Sequence, residues 1–153
     1  MRINNSAQLE EYRARLVRAQ DLTRPCVTVC GGTGCRAYGA EQVLAAARER
    51  INGQAPVRMT GCHGFCEKGP VVVIQPQGIF YARVQPKDIP EIVEETVKHN
   101  RVVERLLYTD PATGAKIARE HDVPFYAKQA RLLLNQNGLL DPANIDEYIA
   151  LGG

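Results

Sequence analysis

Residues 25–35 read PCVTVCGGTGC: a β-branched run from Pro25 to Cys30 that passes directly into small residues ending at Cys35. This predicts a strand that ends in a functional loop, with CGGTGC (30–35) a tight loop throughout. Downstream, Ala40, Val43, Leu44 and Ala47 recur at helical spacing. Glu41 stands in the first turn, Arg48 and Arg50 in the last, and Asn52-Gly53 is the stop signal. The helix is expected to present its positive end to the loop from about Ala37. A second strand, Val57 to Thr60, runs into another Gly- and Cys-containing loop, GCHGFCEKGP (61–70). A right-handed crossover would bring both loops to one sheet edge, beyond the carboxyl ends of adjacent strands, where α/β folds place ligands.

Further along, Val71 to Gln75 and Ile79 to Val84 read as a hairpin, with Gln75-Pro76-Gln77-Gly78 as a type I turn. Asp88 opens a capping pattern with Glu91, and Ile89, Ile92, Val93 and Val97 line one face of a helix to about His99. Before the first strand, Leu9, Tyr12, Leu16 and Val17 mark an amphipathic helix over residues 5–20, capped by Asn5 or Ser6. From Arg101 the texture changes. Asp110 to Gly114 is a turn, Pro124 to Asn135 a helix stopped by Gly138, and Asp141-Pro142 caps a short last helix carrying Ile145, Tyr148 and Ile149. The fold class is therefore α/β: a mixed sheet of about four strands with flanking helices, plus a C-terminal helical connector. Residues 1–24 form the N-terminal helix, 25–100 the α/β domain and 101–153 the connector. The connector carries Val102, Val103, Leu106, Leu107, Leu132, Leu133, Leu134, Leu139, Leu140 and Ile149. So short a segment cannot bury them all, and an exposed apolar patch marks an interface.

Composition sets the outer bounds. The chain has 153 residues, 44% apolar and 24% charged, with a formal charge of +2, the balance of a globular protein. No run of five like charges suggests nucleic-acid binding, and no apolar stretch is long enough to span a bilayer. The amino terminus lacks the apolar core of a secretory signal, so a cytoplasmic location is expected, where clustered thiols are metal ligands or redox groups more often than disulfides.

Four of the five cysteines lie in the two loops, as Cys30-x4-Cys35 and Cys62-x3-Cys66. Core cysteines have no reason to occur as two pairs inside Gly-rich loops. A structural zinc takes four cysteines, with usually two and less often up to four residues between the paired ligands, so spacings of four and three leave a zinc-stabilised interaction module with a four-cysteine site as the alternative reading. A dithiol oxidoreductase would need C-x-x-C, which is absent. A [2Fe–2S] cluster spreads four thiolates over two irons and suits two wider pairs, although the plant-type C-x4-C-x2-C spacing is missing. The loop glycines, with Arg36 and Lys68 beside them, suit an anionic thiolate group.

Two competing signals are weaker. Gly32-Thr-Gly34-Cys-Arg-Ala37 matches a dinucleotide fingerprint, but Thr60-Gly61-Cys62 stands where that fingerprint expects an acidic residue. His63 could ligate a metal, yet four thiolates already suffice; His99 and His121 read as structural. Cys26 is expected to be a non-ligand, since four strand residues at about 3.3 Å each place it roughly 13 Å from Cys30.

VTVCGGTGCRAYGA (27–40) and GCHGFCEKGPVVVIQPQGIFYARVQPKDIPEIVE (61–94) resemble the thioredoxin-like [2Fe–2S] ferredoxin domain. That domain opens the NADH-binding, FMN-containing subunits of [FeFe]-hydrogenases, NAD-dependent formate dehydrogenases and complex I-like modules. VERLLYTDPATG (103–114) and PFYAKQARLLLNQNGLLDPANIDEYIALGG (124–153) look like the family's connector to the flavin domain. The resemblance implies Cys30, Cys35, Cys62 and Cys66 as cluster ligands. It places the FMN, NADH and [4Fe–4S] sites beyond Gly153 or on another chain, so these residues are expected to carry electrons without themselves oxidising NADH. The implied partners are a flavin-containing NADH-binding domain or subunit and other iron–sulfur subunits.

Overall fold

The computed structural model describes residues 2–153 apart from Gln20 and Leu22. A four-stranded sheet has the order β2-β1-β3-β4, with β1 Cys26–Cys30, β2 Val57–Thr60, β3 Val72–Gln75 and β4 Ile79–Tyr81. β1 and β2 are parallel, whereas β3 is antiparallel to both β1 and β4, giving the mixed α/β architecture expected. Every residue of β1 is buried, as a central strand covered on both faces requires. Its one hydroxyl, Thr28 Oγ1, donates to Val73 O at 2.8 Å. Val27, Val29, Val43, Ala47, Ile51, Phe80, Ile89 and Ile92 fill the core around it.

The helices are α1 Ser6–Ala19, α2 Thr33–Ala37, α3 Ala40–Ile51, α4 Ile89–Ile92, α5 Pro124–Ala127 and α6 Ile145–Ala150. α1 falls on the expected span, with the Gln8 N–H donating to Asn5 Oδ1 at 2.9 Å; Gln20, the end of that expectation, lies outside the described residues. α1 buries no side chain of its own and packs on α6, with Tyr12 Oη donating to Asp146 Oδ1 at 2.6 Å. α3 ends at Asn52 and Gly53, both left-handed, as the stop signal required.

Several local expectations are corrected. Residues 33–37 are the helix α2 and not loop, so Cys35 sits on a helical turn, and the next helix starts at Ala40. Asp88 stands at the start of α4, as expected, but its side chain makes no capping bond there. The chain turns at Pro86, and Asp88 reaches back to accept the Gln85 N–H at 2.8 Å, because Pro86 sets the first helical φ two residues earlier. From Val93 to Lys98 the helix widens to π geometry, and Thr96 Oγ1 meets Tyr81 Oη at 2.6 Å. The expected helix 124–135 stops at Ala127, and Leu132 and Leu133 are 88% and 92% exposed. A helix in water is held by packing of an apolar face, and these leucines have nothing to pack on. The last helix is capped by Asn144, whose Oδ1 accepts the Asp146 N–H at 3.1 Å, not by Asp141-Pro142.

No local pattern announces what covers the sheet edge. β5 Tyr108–Thr109 pairs with β6 Lys116–Ile117, and their flanks run along β4. Phe80 N donates to Ala118 O at 2.8 Å and Ala82 N to Leu106 O at 2.9 Å, satisfying a strand edge that would otherwise stand open. Val103, Leu106, Tyr108, Val123 and Tyr126 enter the same core as the sheet. Among the described residues, no helix is long and apolar enough to cross a membrane.

Candidate functional site

β1 and β2 end in register, Cys30 opposite Thr60, and the Gly31 N–H donates to Thr60 O at 2.9 Å. Both cysteine loops therefore leave the sheet at the same edge. Cys30 closes β1, Cys35 lies on α2, Cys62 follows β2, and Cys66 begins a 3-10 turn, Cys66–Lys68. Cys30 and Cys35 are buried, Cys62 is half-buried and Cys66 is exposed. The four thiols thus form a site with a dry inner side and a solvent-facing outer side.

The loops approach each other too closely for side chains at two glycines. A Cβ on Gly32 would stand 2.8 Å from Cys62 Sγ, and one on Gly34 would stand 3.0 Å from Cys66 Sγ. Gly32 and Gly34 are thus each a seat for a sulfur of the second loop.

The thiols also share protons and amide donors. The Cys35 thiol donates to Cys30, which holds the Cys30 pKa down at about 5 despite its burial, with the His63 and Gly32 backbone N–H groups helping. The same bond, with burial, pushes Cys35 up. Burial also raises Cys62, partly offset by the Gly64 N–H, which donates to Cys62 Sγ at 3.3 Å. Backbone donors aimed at sulfur stabilise thiolate charge.

His63 is held by partners other than the sulfurs. Its ring is 1% exposed, with Nε2 3.1 Å from Thr60 Oγ1 and Nδ1 2.6 Å from Glu120 Oε1. Both nitrogens are engaged, so it braces the second loop. His99 Nδ1 meets Glu94 O at 2.7 Å, while His121 is exposed beside Asp122. Cys26 pairs with Gln75 at the opposite end of β1 from Cys30.

The sequence did not point to the residues that hold this loop from outside. Phe125 stacks on Phe65 with ring centroids 4.3 Å apart, and Arg131 Nη2 donates to His63 O at 2.9 Å. Gly138, read from the sequence only as a helix stop, lies flat on the imidazole, where a Cβ would be 2.8 Å from Cε1. These contacts span 60 residues or more, and no local periodicity carries them.

A mixed α/β sheet with four thiols on two loops at one edge defines a class, the proteins that hold a thiolate-bound cofactor at the end of a sheet. The model of the thioredoxin-like [2Fe-2S] ferredoxin family matches residues 15–97, more than half of the chain. The chain belongs to that family. A 2Fe-2S ferredoxin of Aquifex aeolicus is 39% identical over 79 residues, covering 48% of this chain and 71% of that protein. One from Clostridium pasteurianum is 32% identical over 95 residues, covering 52% and 91%. The crystal structure of the wild-type thioredoxin-like [2Fe-2S] ferredoxin from Aquifex aeolicus superposes with a TM-score of 0.52 at 35% identity, covering 57% of this chain and 98% of that one. The protein is thus an electron-transfer protein of the [2Fe–2S] type, and residues 98–153 lie beyond the family match.

Proposed function

We propose that Cys30, Cys35, Cys62 and Cys66 hold the [2Fe–2S] cluster, and that the chain is the electron relay of an NADH-linked oxidoreductase. The observation that carries the ligand assignment is the meeting of these four thiols at one sheet edge, with Gly32 and Gly34 leaving room for the sulfurs of the opposite loop.

When bound, such a cluster takes up and gives back one electron. This chain's residues provide the rest. α2 and the Cys66–Lys68 turn set the spacing of the thiols, and buried Cys30 and Cys35 keep water from the inner side. The Gly64 N–H supports the charge on Cys62, and Cys66 gives the exposed side through which electrons pass.

The NADH-linked context rests on the family resemblance and on the connector. Residues 101–153 are read as a connector to a flavin-containing NADH-binding domain or subunit, in a cytoplasmic complex that holds FMN and further iron–sulfur clusters. The exposed Leu132, Leu133 and Leu134 support this reading, because a partner surface would cover them. Anaerobic reconstitution with iron and sulfide tests the site. A brown protein whose visible absorbance bleaches under dithionite is expected, and a colourless protein with one bound zinc would overturn it. Association with an FMN- and NADH-binding subunit, followed by reduction of this chain by NADH, tests the context.

A further inference from the structure

The solvent-facing side of the site has one closed flank and one open one. Residues 125–138 close the first: Phe125 lies against Phe65, Arg131 holds His63 O, and Asn137 stands beside Gly61. On the other flank, exposed Cys66 is followed by exposed Glu67 and then Lys68, and Lys68 lines a cleft of about 390 Å³ between the end of β4 and residues 105–109. Lys68, Arg83, Lys87 and Arg105 line that cleft against a single carboxylate, Asp88, in a chain whose net charge is only +2.

These cations are not equally neutralised. Arg105 is held by Asp88 at 2.8 Å and by Glu91, and Lys68 Nζ lies 2.7 Å from Glu67. Among the described residues no carboxylate is within ion-pair distance of Arg83 or Lys87, both exposed, although Glu67 acts on Arg83 from further off. Arg83 has φ +54°, a left-handed backbone uncommon for a side-chain-bearing residue, which points to a local demand for its placement. The cleft is physically joined to the site. The Arg83 N–H donates to Lys68 O at 2.8 Å, and Lys68 Nζ sits 5.9 Å from the Phe65 ring and 5.8 Å from the Tyr108 ring.

We infer, resting on the electron-transfer reading above, that this cationic cleft beside Cys66 is the docking site for an acidic surface of the protein that exchanges electrons with this chain. Three observations favour a protein surface over a small anion. The charges without a close ion pair are on long, exposed side chains, the kind that steer an encounter and set its salt dependence. No buried polar side chain lining the cleft lacks a partner, as a built anion pocket would show among the described residues. Electron tunnelling falls steeply with distance, so a partner must seat against the loop that exposes Cys66, and Lys68 of that loop forms part of the cleft wall.

The probe is flavodoxin, an acidic one-electron donor, reacted with the full chain carrying its cluster. In the reaction the flavin hydroquinone is oxidised by one electron and this chain is reduced by one. The double variant R83E/K87E is compared with R48E/R50E, which changes the net charge equally but lies on the last turn of α3, away from the cysteine loops. For wild type and R48E/R50E, rapid reaction that slows with added salt is expected. For R83E/K87E, the bimolecular rate at low salt should fall about tenfold or more and lose most of its salt dependence. Its extent of reduction by excess dithionite and its visible spectrum should not change. The dissociation constant for flavodoxin, from calorimetric titration, should weaken by about the same factor as the rate. A salt-independent wild-type reaction, equal loss in both double variants, or no loss in R83E/K87E would overturn the docking site. Iron content and visible spectrum are read first. A chain that assembles no cluster sinks the electron-transfer reading alone, and the titration then still decides the docking surface.

Discussion

His63 Nδ1 lies 2.6 Å from Glu120 Oε1, tying the loop between Cys62 and Cys66 to a turn 57 residues further on. The imidazole is 1% exposed, so its N–H has no water to fall back on. Glu120→Ala should destabilise the protein by about 1–3 kcal/mol, the cost of a buried donor left without its acceptor. Glu120→Gln, which keeps an oxygen acceptor in place, should retain most of that stability. Urea denaturation of the three proteins checks it, and equal midpoints for wild type and Glu120→Ala would refute it.

Gly32 has φ −61° and ψ 152°, a conformation open to any residue, so alanine there tests the close approach of the loops and not the backbone. Its Cβ would stand 2.8 Å from Cys62 Sγ. Gly32→Ala should therefore fold with normal secondary structure but take up less iron and show an altered visible spectrum. Gly34→Ala, with a Cβ 3.0 Å from Cys66 Sγ, should behave alike. Iron analysis beside far-ultraviolet circular dichroism separates cofactor loss from unfolding.

Cys26 and Cys30 sit at opposite ends of the fully buried strand β1, roughly 13 Å apart at about 3.3 Å per residue. Cys26→Ser should leave iron content and the reduced-state EPR signal intact. Serine at Cys30, Cys35, Cys62 or Cys66 should lose the cluster or change that signal. Iron loss in a folded Cys26→Ser variant would show the ligand set to be wrong.

Burial pushes the Tyr81 phenol above its ordinary value of 10.0, and does the same at Tyr126. Above pH 10 the unfolded chain gives up these protons while the folded chain keeps them. The stability they contribute is complete below about pH 10 and is lost as pH rises toward the folded values. Denaturation midpoints should therefore fall with alkaline pH, and the fall should be shallower in Tyr81→Phe. An identical alkaline slope in that variant would contradict the assignment.

Leu132 and Leu133 are 88% and 92% exposed. Lysine at either position should shift the stability of the isolated chain by no more than about 0.5 kcal/mol. Phe80→Ala, in the core, should cost about 3–5 kcal/mol. A large loss from Leu132→Lys would mean that residues 128–135 pack on the sheet as the helix the sequence predicted.

The strands of the four-stranded sheet and α3 were readable locally because each carries its own signal, such as the β-branched residues within 26–30 and a 3.6-residue repeat from Ala40 to Ile51 that ends at Asn52-Gly53. Two cysteine pairs, each following a strand, likewise announced a shared site, because parallel neighbouring strands must end at one edge. Chain-local pattern failed where distant contacts choose the conformation. Residues 33–35, within the Gly-rich run 30–35, look like loop yet coil into α2, which packs against the Cys66–Lys68 turn. Residues 124–135 have helical composition, but without an apolar surface to bury their leucines only Pro124–Ala127 is helical. The bracing of His63 by Glu120, the cover of the second loop by Phe125 and Arg131, and the cationic cleft at Lys68 and Arg83 join residues far apart in sequence. Their energies depend on distances that exist only once the sheet has formed, so the sequence by itself determined the strands and the paired thiols, and tertiary packing decided how the site is held and which side of it stays open.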